Sequence, residues 1–166
     1  MKIYETDIKA GAIANEFLML ANKDNIEISN LKLMKICYIA QGLSLSILKK
    51  PAFLDSIEAW QYGPVIPSIY HEFKRFRSEP IRDYRSSELD ANFELKENEL
   101  NDSQLKKIVQ LTWNLYGNMS AQVLVDLTHQ QGTPWFVTVS ERENIISNEL
   151  IKKYYDKFII NLRKRA

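Results

Sequence analysis

One stretch, LKLMKICYIAQGLSLSIL from Leu31 to Leu48, limits what this chain can fold into more than any other. Leu33, Ile36, Cys37, Ala40, Leu43 and Ile47 recur along one helical stripe, while Leu31, Met34, Tyr38 and Leu45 occupy other faces. A helix that is apolar on nearly every side is not satisfied by one neighbour, so it belongs at the centre of the fold. Gly42 costs about 1 kcal/mol relative to alanine in a helix interior, which points to another element passing close by. Ser29 or Asn30 caps the start. Lys49, Lys50 and Pro51 stop the helix, with both lysines near its negative end.

The rest of the chain supplies elements to surround it. Ile8, Ala12, Phe17, Leu18, Leu20 and Ala21 predict a first helix over 7–23, with Asp7 as its cap or first-turn acid. Ile57, Ala59 and Gln61 alternate with Glu58, Trp60 and Tyr62, a short strand with a half-buried aromatic face, and Gly63-Pro64 turns the chain. Pro67 opens the next helix, with Ile69, Tyr70, Phe73 and Phe76 facing inward and Glu72, Lys74, Arg75 and Arg77 outward or along the flank. Residues 78–87 form a polar surface connection. Leu89, Ala91, Phe93 and Leu95 then alternate with Asp90, Asn92 and Glu94, which predicts a second half-buried strand able to pair with the first.

Asn101, Asp102 and Ser103 each offer a cap for a helix carrying Leu105, Ile108, Val109, Thr112, Trp113 and Tyr116, and Gly117 stands where a C-terminal glycine belongs. Ser120 caps a shorter helix through Ala121, Leu124, Val125 and Thr128, ended by Gly132 and Pro134 in the loop HQQGTPW. Ser147 caps a last helix with Ile151, Tyr154, Tyr155, Phe158, Ile159 and Leu162 as its buried stripe. The predicted fold is mainly α (α+β): five to six helices around a central apolar helix, with a small antiparallel sheet, in a single domain spanning 1–166.

Composition excludes several function classes. At 166 residues the chain can bury one sizeable core without staples, and 45% apolar with 26% charged residues describes a globular protein. A formal charge of +1 argues against a general polyanion binder. Cys37 is the single cysteine, so no intramolecular disulfide forms, and a reducing cytoplasm is the expected compartment. The opening residues hold no apolar run of signal-peptide length and no uncharged stretch approaches bilayer thickness, so neither export nor membrane insertion is expected.

No catalytic constellation accompanies these elements. Cys37 sits in the most apolar helix, where a thiol behaves as a small hydrophobe. His71 lacks the second histidine of a metal-binding spacing, and Asp126, Thr128 and His129 are too close along one helix to converge as a triad. No glycine-rich phosphate loop occurs among the five glycines. Neither enzyme activity, metal nor cofactor is expected. The charge cluster Lys74, Arg75, Arg77, Arg82 and Arg85, interleaved with Phe73, Phe76 and Tyr84, fits an acidic protein partner, with single-stranded nucleic acid as the alternative. Trp60 and Trp113 are assigned to the core, and Trp135, after Gly-Thr-Pro, to a partly exposed position suited to binding.

The segment LKLMKICYIAQGLSL, the break ending KKPAF, the run IEAWQYGPVIPSIYHEFKRF and the later LVDLTHQQGTPW together resemble the Panacea domain, also called the SocA-like or phage-associated domain. These motifs appear in the family's order from Leu31 to Trp135, and AWxYGPVxPxxY is the specific part. The resemblance implies an antitoxin of a bacterial or prophage toxin-antitoxin pair, which binds a toxin encoded by a neighbouring gene. One branch implies a further partner, a protease to which the toxin is delivered. Family toxins are diverse, alarmone synthetases among them, so the identity of the partner is left open, as is the oligomeric state. About thirty residues precede Leu31, too few for the separate DNA-binding module of some relatives. The motif residues Trp60, Gly63, Pro64, Pro67, Tyr70, Pro134 and Trp135 are expected to fix the scaffold. Tyr62, Glu72, Lys74, Arg75, Arg77 and Tyr84 are the candidate toxin contacts, around the charged exit of the motif.

Overall fold

The computed structural model describes residues 5–166. Among them are seven α-helices: α1 (Ala10–Lys23), α2 (Asn30–Ile47), α3 (Pro67–Phe73), α4 (Ser103–Tyr116), α5 (Ala121–His129), α6 (Pro134–Ser140) and α7 (Asn148–Arg165). Two antiparallel hairpins complete the fold, β1 (Glu58–Trp60) with β2 (Gly63–Val65) and β3 (Ser87–Leu89) with β4 (Leu95–Glu97). The mainly helical expectation holds, with the sheet divided into two separate hairpins. No helix is long and apolar enough to cross a membrane among the described residues.

Helix α2 lies at the centre, as its all-round apolarity requires, touching α1, α3, α4, α5, α7 and β2. Leu33, Ile36, Cys37, Ala40, Leu43 and Leu45 are all fully buried and join one continuous apolar core. Ser29 caps the helix by accepting a hydrogen bond from the Lys32 amide. Within α2, Gln41 is buried and reaches outward: its Oε1 accepts from the amides of Ala52 and Phe53, and its Nε2 donates to the Phe53 carbonyl and Asn148 Oδ1. That one side chain holds the irregular segment after α2 in place.

Local caps explain three other helix starts. Asp102 accepts from the amides of Gln104 and Leu105, Ser120 from Val123, and Ser147 from Leu150. Asp102 also pairs with Lys50 at 2.6 Å, which holds its carboxyl below the usual range. Asp102→Ala is therefore expected to cost about 1–2 kcal/mol, measured by urea unfolding. Gly117 is the C-cap of α4, as expected, and it stays in the right-handed region at φ −58°. A Cβ there would lie 2.7 Å from the Trp113 ring, and the glycine makes room for that ring.

Several expectations are corrected. Asp7 does not cap α1, which begins at Ala10 behind an extended Lys9. The cap comes from a distant residue, Asp55, whose Oδ2 accepts from the Ala10 amide at 2.7 Å. Gly63-Pro64 is not the corner of the chain: Gln61 and Tyr62 form a tight turn, and Gly63 and Pro64 lie in β2, paired with Trp60 and Ala59. Residues 89–95 do not form one half-buried strand pairing with the Ile57 strand. The Asp90 carboxylate accepts from the amides of Asn92 and Glu94, folding the segment into a hairpin loop between β3 and β4. Its alternating apolar residues stay exposed. Pro134 begins α6 rather than ending α5, because Thr133 caps it through the Phe136 amide and proline suits the first helical position. In α7, Ile151 and Tyr155 are buried, Tyr154, Phe158 and Ile159 half-buried, and Leu162 exposed, so the stripe leaves the core toward the C-terminus.

Candidate functional site

The three sequence motifs meet at one place. Fully buried Lys35 of α2 sends its ammonium group to the carbonyl of Pro64 in β2 at 2.8 Å. Beside it Gly63 adopts φ +102°, a conformation strained for other residues, and a Cβ there would lie 3.1 Å from Lys35 Nζ, 3.6 Å from Thr128 Oγ1 and 3.7 Å from His129 Cβ. The Trp135 indole N–H donates to the Trp60 carbonyl at 2.6 Å and its ring stacks on His129 at 4.1 Å. Trp60 in turn meets Tyr70 edge-on at 5.0 Å, and Pro67 and Pro134 each open a helix beside this unit. These contacts bring β1, β2, α3, α5 and α6 together, with β2, α3 and α5 against the central helix.

Lys35 makes no ion pair among the described residues, and burial pushes its pKa down to about 7. Sequence reasoning missed it. The available signal was a lysine amid apolar neighbours on a helix with no solvent face. Cys37 is fully buried, and desolvation, reinforced by the charge of Asp55, pushes its thiol up, away from nucleophile chemistry. His71 packs against Tyr70 and His129 against Trp135, so each imidazole faces an aromatic ring. Among the described residues, no three His, Cys, Asp or Glu side chains gather as metal ligands.

The charged exit of the motif forms a second unit. Helix α3 ends at Phe73 in a single 3-10 turn of Lys74–Phe76, leaving Lys74, Arg75 and Arg77 exposed, Arg77 at φ +52°. The Arg75 guanidinium covers the Tyr84 ring at 4.2 Å and the Phe76 ring at 5.0 Å. Burial and the neighbouring Glu72 carboxylate raise the Tyr84 phenol. Glu72 itself accepts from the Ser86 hydroxyl at 2.8 Å, the Ser87 amide at 3.1 Å and the Tyr84 hydroxyl at 3.4 Å. It ties the surface together from beneath. Arg82 pairs with Glu27, and Arg85 donates to the Tyr84 carbonyl, so the basic segment is largely engaged by its own protein.

Five of the six candidate contacts, Glu72, Lys74, Arg75, Arg77 and Tyr84, come together at this exit. Tyr62 stands apart, 65% exposed at the β1–β2 turn. A cleft of about 650 Å³ adjoins the exit, lined in part by Glu27, Arg82, Tyr84 and Arg85. The outcome is a polar shelf on which Arg75 covers the rings of Phe76 and Tyr84.

A family model described as "Antitoxin SocA-like, Panacea domain" matches residues 33–136, which include both units. The chain is also similar to "Antitoxin SocA" of Caulobacter vibrioides, 30% identical over 131 residues that cover 78% of this chain and 70% of that protein. No solved structure matches.

Proposed function

The chain belongs to the family of SocA-like antitoxins with a Panacea domain, and from that premise we propose that it neutralises a protein toxin by binding it directly. The observation that carries this reading is the family match together with a preorganised shelf at Glu72, Lys74, Arg75, Arg77 and Tyr84. Arginine held over two aromatic rings presents charge with little ordering cost, which favours a protein contact. Cys37 is buried with its thiol pushed up, and His71 and His129 each pack on an aromatic ring, which favours a binding role for these residues over a catalytic one.

Co-expression with the neighbouring reading frame is the test. That frame alone should arrest growth, and this chain should restore it and co-purify with its product. Reversing charge at Lys74, Arg75 and Arg77 to glutamate is expected to weaken binding roughly tenfold or more, mainly by slower association. A neighbouring product that is harmless, or that remains toxic beside this chain, defeats the reading. Delivery to a protease is the finer variant: the toxin's half-life then shortens in the presence of this chain and lengthens when the protease is deleted. Full neutralisation with an unchanged half-life leaves blocking as the mechanism.

A further inference from the structure

From the β3–β4 hairpin we infer that Phe93 is an anchor residue for the toxin of the preceding section, the hairpin reaching into an apolar socket of that partner rimmed by lysine or arginine, a separate patch from the acidic one that meets the shelf. This deepens the antitoxin reading and rests on it. Leu89 and Leu95 are cross-strand partners and therefore share a face, yet they are 60% and 76% exposed. Phe93, in the connecting loop, is 84% exposed. Three large apolar side chains on one small protrusion gain nothing in the free protein.

The backbone adds an independent argument. The Phe93 amide donates to the Asp90 carbonyl and the Asp90 amide to the Glu94 carbonyl, and Phe93 itself sits at φ +61°. This loop position favours glycine, and a bulky aromatic there is strained. Among the described residues nothing packs over the ring to repay that choice. Strained, preorganised side chains of this kind gather at ligand-contacting sites. The hairpin is also firmly mounted: buried Asn15 of α1 accepts from the Ser86 amide at 2.7 Å and donates to the carbonyls of Ser86 and Asn98 at 2.9 Å. The Ser86 hydroxyl is held by Glu72 of the shelf, so hairpin and shelf share one foundation.

Charge selects the occupant. Glu88, Asp90, Glu94, Glu97 and Glu99 lie along the hairpin and its exit, against Lys96 and against Lys9, which pairs with Glu88, so the hairpin stays acidic on balance. A second copy of this hairpin, or an anionic lipid surface, would bring like charges together; a basic protein surface complements them.

The experiment compares wild type, Phe93→Gly and the double variant Glu94→Lys/Glu97→Lys, each titrated against the purified product of the neighbouring reading frame, with thermal unfolding and sedimentation measured in parallel. Phe93→Gly suits the backbone better, so its unfolding midpoint should stay level or rise while affinity falls roughly tenfold or more. The charge variant should associate more slowly than wild type at low salt, with the difference between the two shrinking as salt is raised. Wild-type affinity in Phe93→Gly, or a lowered midpoint that makes Phe93 a fold residue, overturns the inference and leaves the antitoxin reading standing. So does a wild-type dimer that Phe93→Gly disperses, which would make a second copy the occupant. A wild-type chain that neither binds nor neutralises that product removes the antitoxin reading and this inference together.

Discussion

Gly42→Ala is expected to destabilise the protein by about 2–3 kcal/mol, although alanine is the better helix former by about 1 kcal/mol. Gly42 lies in the middle of α2, and a Cβ there would fall 2.2 Å from Cδ2 and 2.3 Å from Cε2 of Tyr155. The ring crosses directly over the helix backbone. It has no room to swing aside, because it meets Tyr38 edge-on at 6.3 Å, Tyr154 at 5.2 Å and Phe158 at 6.0 Å. Adding a methyl group therefore pushes α7 away from α2, the element it packs against. At this chain length the loss corresponds to roughly 4–12 °C in unfolding midpoint, and Gly42→Val should lose more. Tyr155→Ala alone costs about 3–5 kcal/mol through its cavity, but it vacates the space that the new methyl needs. Combining it with Gly42→Ala should thus cost at least about 1 kcal/mol less than the sum of the two singles. A neutral or stabilising Gly42→Ala, or strict additivity, would show that the close approach is not what requires glycine.

That glycine was readable from the sequence as a close approach, whereas the residue approaching it was not. The same division runs through the fold. Ser29, Asp102, Ser120 and Ser147 cap within three residues of themselves, so local spacing exposes them. Asp55 caps α1 from 45 residues away, and Asn15 fastens Ser86 across 71; no periodicity carries such information. Thr133-Pro134 was legible as a helix start and was read instead as a stop, since the Gly132 before it resembles a terminator. Residues 89–95 misled for a different reason. Alternation reports a strand with one face covered, but it is blind to whether anything covers that face, and the Asp90 side chain bends the segment before it can extend. At the charged exit, Lys74, Arg75 and Arg77 were visible as charge. That Tyr84 lies under Arg75 and that Glu72 points toward Ser86 emerged only when α3 and the following loop were packed together.

Raising the pH from 7 to 8.5 is expected to stabilise the wild-type protein by roughly 1.5 kcal/mol, and Lys35→Met is expected to abolish that gain. Lys35 is completely buried, its one hydrogen bond among the described residues goes to a neutral carbonyl, and desolvation lowers its pKa from 10.5 to about 7. Above pH 7 the folded protein holds it neutral while the unfolded chain still holds it charged. The unfolded state then binds more protons, so unfolding free energy rises with pH until the unfolded lysine also titrates. The window closes early from the other side. Cys37 is raised by burial from 9.0, so near that pH the unfolded thiol ionises and the folded one does not, which lowers stability. Urea unfolding at pH 7, 7.5, 8 and 8.5 measures the slope directly. A wild-type protein as flat as Lys35→Met over that range would mean that the ammonium is better solvated than its position implies. The expected slope has a structural meaning: a lysine that costs stability at neutral pH is kept in contact with Pro64, between α2 and the strained Gly63. That hydrogen bond joins the β1–β2 hairpin to the central helix just before α3 begins. Lys35→Met should accordingly be no less stable than wild type at pH 6.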